Sequence, residues 1–310
     1  MRVALIGAVG VISLAGHASA QAPPALVIDA PAELSSSRRR LESFDRASLA
    51  GIVRMVGLDD PGASIQIVLA GEDSAAASSV SASTAGYAIS SEALIVLFPA
   101  RSPAYPHDTL EDVLRHEVAH VLISRAAGGR PVPRWFHEGL AMSAERPWRL
   151  EDRSRLIFEL VAGPRLSVGD IDRLFDSEAT RTRAYALSAA MVREIVRAHG
   201  GASPAAILRE LRTAATFEEA MIRAVDRPMH DIERDFWARQ RVWTVWVPLV
   251  TSSEMLWLVV IALAALAVWQ RRRRAAEVRR RWDEEEAAST PAWPRQGSEP
   301  DDDRGAGPRA

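Results

Sequence analysis

The stretch AAGGRPVP (126–133) constrains the fold of this 310-residue chain more than any other part of the sequence. Two glycines and two prolines in eight residues cannot continue a helix, because glycine costs conformational entropy and proline lacks a backbone donor. The residues before it (108–126) have helical spacing, with Asp108 as the predicted N-cap and Glu111 as its capping-box partner. The residues after it, RWFHEGLAMSAE, predict a second helix. The chain therefore reverses here, so that the second helix can lean across the first.

The first of these helices carries HEVAH, with His116 and His120 four residues apart. Residues at this spacing lie about 40° apart around a helix axis, so both imidazoles project together. Neutral imidazole is a good zinc ligand, and a catalytic zinc site keeps one position open for water. Glu117 points about 100° away from His116, placed to take a proton from that water rather than to bind the metal. The spacing predicts two ligands and a base; the alternative is a helix edge whose two histidines have other partners.

A zinc site needs a third ligand, and the second helix offers two residues for that role. Glu138 is the preferred ligand, because the seventeen residues between it and His120 include the reversal that brings its helix across the first. The alternative for Glu138 is a first-turn carboxylate that the helix dipole favours. His137 is the rival ligand, but it points about 100° away from Glu138, so only one of the two faces the metal. We expect His137 to line the cleft or to support the site.

One common extension of this motif is excluded. A metzincin has glycine three residues after the second histidine and another histidine six residues after it. This chain has Ile123 and Ala126 at those positions. A carboxylate from a neighbouring helix therefore remains as the third ligand.

Composition limits the other kinds of function. The chain has no cysteine, which excludes disulfides, cysteine-based zinc fingers and thiol catalysis, and leaves histidine and carboxylates as metal ligands. All 38 basic residues are arginine, against 40 acidic residues. The net charge of -2 gives no indication of a nucleic-acid partner.

Two apolar segments indicate the compartment. Residues 1–20 combine an apolar run with Ala18-Ser19-Ala20 and predict a cleaved signal peptide; an uncleaved anchor or a buried helix is the alternative. Residues 250–270, with the apolar run 255–269, predict a transmembrane helix, and the arginines at 271–274 predict that its end is cytoplasmic. A buried core helix is the alternative. We expect a single-pass membrane protein with an exoplasmic domain (21–245) and a disordered cytoplasmic tail (271–310).

The exoplasmic region predicts an α+β fold, a small sheet followed by helices. Apolar residues at helical spacing from Leu41 to Val56 predict one helix that ends at Gly57. Two strands are predicted, in ASIQIVLAG (63–71) and at residues 93–98. Three later segments predict helices: YALSAAMVREIVRAHG, PAAILRELRTAA and MHDIERDFWARQRVW.

The succession of VLRHEVAHVLI, VPRWFHEGLAM and YALSAAMVREIVRAHG resembles the gluzincin clan of zinc peptidases, specifically the peptidase MA-like domains of bacterial envelope proteins. The resemblance covers roughly residues 37–240. It implies a thermolysin-like metallopeptidase domain of the bacterial envelope that cuts a peptide or protein substrate internally. Together with the two apolar segments, this predicts a protein anchored in the bacterial inner membrane with its catalytic part in the periplasm. The resemblance also implies roles for five residues: Zn²⁺ binding by His116, His120 and Glu138, activation of water by Glu117, and stabilisation of the oxyanion by Tyr185. For Tyr185 the alternative is packing in the core.

The chain departs from other branches of this clan. It has no G-x-M-E-N stretch, so the trimming of free N-termini is not supported. Thermolysin-like enzymes have Asp four residues after the ligand Glu, whereas this chain has Met142, which leaves open what orients the zinc ligands.

Three further expectations concern a strand, the remaining histidines and an alternative function. The strand ALIVLF (93–98) is either a sheet edge that pairs with an extended peptide or part of the core. His107, His199 and His230 are expected at the surface or at helix ends. A non-catalytic binding or assembly module on the same fold is the alternative function, although the intact Glu117 argues against it.

Overall fold

A computed structural model describes residues 21–103, 106–145, 150–251 and 253–289 of the chain. The chain divides into two compact units, Met1–Val247 and Pro248–Ala310. The predicted signal peptide lies outside the described residues, so it stays a prediction.

The described part of the first unit contains a four-stranded sheet with the strand order β1-β2-β4-β3. Its strands are β1 (Leu26–Asp29), β2 (Ile65–Leu69), β3 (Gly86–Ile89) and β4 (Leu94–Leu97). The pairs β1–β2 and β2–β4 are parallel, whereas β3 runs antiparallel to β4. Because β4 pairs on both sides, ALIVLF belongs to the core of the sheet, and β3 is the edge strand on that side.

The described residues also form twelve α-helices. In chain order these are α1 (Ser35–Glu42), α2 (Ala50–Val56), α3 (Ala75–Ser78), α4 (Leu110–Ala126), α5 (Arg134–Glu145), α6 (Leu150–Ala162), α7 (Val168–Leu174), α8 (Glu178–His199), α9 (Ser203–Leu211), α10 (Phe217–Val225), α11 (Met229–Thr251) and α12 (Ser253–Ser289). The predicted α+β class agrees with this mixture of a small sheet and many helices. One continuous hydrophobic core joins the sheet to the helices around α4.

Helix α4 begins one residue later than predicted. Thr109 is its N-cap, because the Thr109 backbone is extended and its hydroxyl accepts a hydrogen bond from the Asp112 N–H at 3.1 Å. The predicted capping pair of Asp108 and Glu111 is therefore wrong. The Glu111 carboxylate instead binds the guanidinium of Arg40, at 2.6 Å from Nη2.

The reversal after α4 has the conformation that its glycines predict. Gly128 and Gly129 have φ values of 64° and 73°, in the left-handed region that glycine adopts without strain. Helix α5 then covers the predicted residues. The backbone N–H of Trp135, in its first turn, donates to Asp172 Oδ1 of α7 at 2.6 Å. This bond fixes the start of α5 against a neighbouring helix.

Helices α5 and α8 approach closely at Gly139. A Cβ atom at this position would lie 2.5 Å from the backbone oxygen of Ser188 and 2.6 Å from a methyl carbon of Val192. Only glycine fits there without a shift of one helix. The contact lies beside Glu138 on α5 and one turn after Tyr185 on α8.

The predicted helix from Leu41 to Val56 is in fact two helices, α1 and α2. They are separated by a short turn in which the Asp45 carboxylate accepts the N–H of Ala47 at 3.0 Å. Aspartate favours such a local turn over a continuing helix, which explains the break. Gly57 ends α2 with a φ of 74°, as predicted.

In the second unit, residues 271–289 belong to α12, so the predicted disorder of 271–310 is wrong for this part. Arginine, glutamate and alanine are strong helix formers, and Arg280 lies 3.5 Å from Glu284 one turn later. Residues 290–310 lie outside the described residues.

The membrane helix predicted for residues 250–270 is not confirmed. Among the helices in the described ranges, none has both the length and the apolar character that crossing a membrane requires. The apolar run 255–269 has fifteen residues, fewer than the roughly 20 that a bilayer core needs.

Candidate active site

Helix α4 supplies the centre of the site. His116 and Glu117 are 3% and 5% exposed, because α4 is covered by the sheet on one side and by α5 on the other. The rings of His116 and His120 lie 4.7 Å apart at their centroids. The four-residue spacing has therefore placed both imidazoles together, as predicted.

Helix α5 brings Glu138 to these two histidines. Its Oε2 lies 3.4 Å from His116 Nε2 and 3.6 Å from His120 Nε2. Zinc bonds of about 2.1 Å at tetrahedral angles place ligand atoms about 3.4 Å apart. Glu138 Oε2 is buried and accepts no hydrogen bond of good geometry from the described residues. Such an oxygen is stabilised by a positive charge, either the protonated ring of His116 or a bound metal ion. The three predicted ligands therefore form a donor set that fits Zn²⁺.

His137 does not belong to this donor set. Its ring lies 4.5 Å from that of His120, at 37° to it, and its side chain bonds to the backbone of His120. In the described residues, two clusters bring three donor atoms within 4.8 Å of one another, His116–His120–Glu138 and His107–His116–Glu145. Since neither cluster contains His137, the geometry favours Glu138 over His137 as the ligand. His137 lines the cleft, as expected.

Two residues beside the cluster of His116, His120 and Glu138 were not predicted to lie there. Glu145 Oε2 lies 3.5 Å from His116 Nδ1 and 3.1 Å from His107 Nδ1. Glu145 is 3% exposed and His107 is 9% exposed, so the predicted surface position of His107 is wrong. His107 lies just ahead of α4, where the chain passes the end of α5.

The position of Glu145 could have been found from helical spacing. It follows Glu138 by seven residues, which is two turns, so it lies about 20° from Glu138 around the axis of α5. Met142, the position at which thermolysin-like enzymes have Asp, is one turn closer. In this chain the carboxylate at Nδ1 of His116 is that of Glu145, which lies one turn beyond position 142 on the helix.

The buried charges of the site favour a cation. Burial opposes ionisation of Glu138 and Glu145, but the surrounding histidines outweigh it and lower the pKa of each carboxyl to about 2. Burial likewise opposes the charge on His116, but Glu138 and Glu145 raise its pKa to about 10. Burial lowers the pKa of His120, so that ring is neutral. A divalent cation would take the place of the His116 proton as the partner of the carboxylates.

Glu117 has the protonation behaviour of a general base for neutral pH. Burial raises its pKa to about 7, and the charges of Glu138 and Glu145 act in the same direction while His116 opposes them. A base whose pKa lies near the working pH transfers protons efficiently. Glu117 also lines the cleft, so water and substrate can reach it.

Tyr185 on α8 completes the predicted set of residues. Its ring centroid lies 6.5 Å from that of His116, and Phe175 packs against its other side at 5.2 Å. Burial, together with the charges of Glu138 and Glu117, raises the pKa of the phenol. The hydroxyl therefore keeps its proton and can donate a hydrogen bond.

These residues line one cleft of about 640 Å³. Strand β3 and the segment before it (80–85) form one wall, and the first turns of α8 form another. His116 and His120 lie between them. The edge strand β3 thus borders the cluster of His116, His120 and Glu138.

An HExxH helix, a carboxylate from the following helix beside its two histidines and a cleft bordered by a sheet edge are the features expected of a gluzincin-type site. A family model of the peptidase MA superfamily matches residues 86–240, which is half of the chain, and the chain belongs to that superfamily. The resemblance seen in the sequence motifs is thereby confirmed. Members of this superfamily are generally zinc-dependent. No curated protein and no solved structure matches the chain.

Proposed function

We propose that this protein is a zinc-dependent metallopeptidase that hydrolyses internal peptide bonds. One observation carries the proposal. The buried Oε2 of Glu138, which accepts no hydrogen bond from the described residues, lies within 3.6 Å of two histidine nitrogens, beside a glutamate whose pKa is about 7. Membership of the peptidase MA superfamily supports the same class of reaction.

A zinc ion held by His116, His120 and Glu138 would act as a Lewis acid and make water nucleophilic near neutral pH. Glu117 accepts a proton from the attacking water and later passes it to the nitrogen of the leaving amine. Tyr185 donates a hydrogen bond to the oxygen of the scissile carbonyl as negative charge develops there. No covalent bond forms between the substrate and the protein.

The shape of the cleft supports an extended peptide as the substrate. Strand β3 is the edge of the described sheet next to the cluster, and its outer backbone groups can pair with an extended chain. Such pairing recognises backbone rather than side chains. The absence of a G-x-M-E-N stretch, which binds the free N-terminus in the aminopeptidase branch, favours internal bonds.

The proposed compartment rests on the sequence of residues 1–20, which has the pattern of a secretion signal. We propose that the enzyme works outside the cytoplasm, in the periplasm. Membrane attachment is not part of the proposal. Intact-mass measurement of the mature chain tests the compartment, since loss of residues 1–20 is the expected result.

The test of function uses the full-length chain with zinc analysis and a protease assay on casein and internally quenched peptides. We expect one zinc per chain in the wild type. Glu117→Gln keeps the zinc and loses about 10²- to 10⁴-fold in rate, and Glu138→Ala loses both zinc and cleavage. The matched control, Glu33→Gln, changes an exposed glutamate far from the cleft and keeps both.

Two results would contradict the proposal. One is a wild-type chain that cannot be loaded with zinc at neutral pH. The other is a zinc-loaded chain that cleaves no peptide while the Glu117→Gln variant and the wild type retain the same uncut partner. That second result would identify a binding module on a peptidase fold.

A further inference from the structure

The α8 wall of the cleft carries charged groups that the proposed reaction does not use. Glu178, Arg181, Thr182 and Tyr185 all line the cleft. Arg181 precedes Tyr185 by four residues, so the two side chains lie on the same face of α8, one turn apart. Arg181 is thus a cation next to the predicted oxyanion donor.

Arg181 has an unsatisfied donor. Its Nε is buried and makes no hydrogen bond in the described part of the chain. Within the same residues, no carboxylate lies within 4.0 Å of its guanidinium. Each buried donor that is left unpaired costs free energy, and a ligand that supplies an acceptor recovers it.

The other arginine of the cleft is less available. Arg134 lies 3.9 Å from the carboxylate of Asp176, and its guanidinium lies 4.7 Å above the ring of Phe175. The positive charges of both arginines reach Tyr185, where they oppose the rise in the phenol pKa that burial causes. Arg181 therefore lies in the electrostatic range of the reacting groups and, unlike Arg134, forms no ion pair with a carboxylate of the described residues.

We propose that Arg181 is a specificity-determining residue that binds a carboxylate of the substrate on the Tyr185 side of the metal site. This inference rests on the proposed peptidase function and names its substrate class. A guanidinium presents paired N–H donors that match the two oxygens of a carboxylate. The carboxylate belongs either to an acidic side chain near the scissile bond or to the free C-terminus of the peptide.

Glu178 limits the number of negative charges that fit. It is exposed and lines the cleft three residues before Arg181. A second acidic group of the substrate at that position would meet a like charge. The preferred substrate thus carries one carboxylate at Arg181 rather than an acidic stretch.

Matched internally quenched peptides test this with the full-length, zinc-loaded chain. A neutral parent peptide, acetylated and amidated, is compared with peptides that place Glu or Gln at each position near the cleavage site. The parent is also prepared with a free C-terminal acid. We expect kcat/KM to be about 10- to 100-fold higher for Glu than for Gln at one position, or for the acid than for the amide.

The Arg181→Gln variant is expected to abolish that preference with unchanged zinc content. The readout is the ratio of kcat/KM for the carboxylate and neutral peptides, which a change in rate common to all substrates does not alter. The control Arg173→Gln removes an equal charge from an exposed site on α7 and keeps the preference. A Glu/Gln effect identifies a side-chain carboxylate, and an acid/amide effect identifies the C-terminus. The inference is overturned if neither ratio exceeds about twofold, or if the preference survives in Arg181→Gln.

A binding measurement separates failure of this inference from failure of the proposed function. The same peptides are titrated into zinc-loaded Glu117→Gln, with and without Arg181→Gln, by fluorescence anisotropy. A wild type that cleaves no peptide can still bind the carboxylate peptides more tightly than the neutral ones. If Arg181→Gln removes that difference in affinity, the role of Arg181 is supported. Equal binding of charged and neutral peptides contradicts it.

Discussion

Glu145 Oε2 lies 3.5 Å from Nδ1 of His116, the ring nitrogen on the far side from Glu138. His116 therefore lies between two carboxylates, one at each nitrogen. A carboxylate at the outer nitrogen of a ligand histidine fixes the tautomer and the orientation of its ring. Glu145 offers an answer to the question that Met142 raises, because its carboxylate contacts the outer nitrogen of His116 from one turn beyond position 142.

We expect Glu145→Gln to weaken zinc binding about 10- to 100-fold, because the amide holds His116 less firmly in its metal-binding orientation. Competition with a chelator of known affinity measures this loss on the full-length chain. Glu33→Gln, which alters an exposed carboxylate, serves as the control. Equal zinc affinity in the two variants would show that Glu145 does not position His116.

Gly139 sets the distance between the helix that carries Glu138 and the helix that carries Tyr185. The Gly139→Ala variant places a methyl group 2.5 Å from Ser188 O, so α5 and α8 must move apart. We expect a loss of about 1–3 kcal/mol in the free energy of unfolding, together with a lower kcat. Urea unfolding and peptide cleavage measure the two effects. Gly201→Ala, at a site with no neighbour within 4 Å, should change neither, and a similar result for both variants would contradict the close contact.

The central residues of the candidate site were predictable because their relative positions depend on short stretches of sequence. The spacing of His116, Glu117 and His120 depends only on the geometry of one helix, and the Gly-Pro reversal indicates where the next helix starts. Glu145 was equally predictable from its seven-residue spacing from Glu138. It was not predicted because the aspartate of thermolysin-like enzymes follows the ligand glutamate by four residues, not seven.

Other parts of the fold depend on contacts between distant segments. Strands β1 and β3 are as short as β4 but lack its run of buried apolar residues, so they are defined by pairing with β2 and β4. The burial of His107 depends on Glu145, 38 residues later in the chain. No local pattern predicts such pairs. The start of α4 at Thr109 differs by one residue from the prediction because Asp and Thr are both good caps.

Zinc uptake should release a proton, and the affinity should fall as the pH falls. In the metal-free protein the pKa of His116 is about 10, so at neutral pH this ring carries a proton that the metal must displace. His120 has a lowered pKa and is already neutral. Below pH 10 every decrease in pH therefore favours the protonated, metal-free form. Calorimetric titration in buffers of different ionisation enthalpy counts the protons, and a count of zero between pH 6.5 and pH 8 would contradict the prediction.

Tyr185→Phe separates the two interpretations of this tyrosine. If the hydroxyl stabilises the oxyanion, kcat falls about 10²- to 10³-fold while zinc content and KM stay close to wild type. If the ring only packs against Phe175, removal of the hydroxyl leaves kcat nearly unchanged. Steady-state kinetics on one quenched peptide, with thermal unfolding to exclude a loss of stability, decides between them.

Arg101 holds together the wall of the cleft that faces α8. Its side chain is 9% exposed and donates to the backbone oxygens of Ala77, Ser81 and Thr84, at 3.3, 2.9 and 3.1 Å. Ser81 and Thr84 line the cleft, and the chain continues from them into the edge strand β3. One buried guanidinium thus fixes a segment that has almost no regular structure of its own.

Arg101→Met keeps the apolar length of this side chain but removes its donors, so the wall loosens while the ligands on α4 and α5 stay in place. We expect KM for peptides to rise about 10-fold or more, with a smaller change in kcat and an unchanged zinc content. The Glu72→Gln variant alters a half-exposed partner of Arg101 and leaves the three backbone bonds intact, so its KM should stay near wild type. A fall in zinc content, or an equal KM in the two variants, would show that Arg101 does not act through the cleft wall.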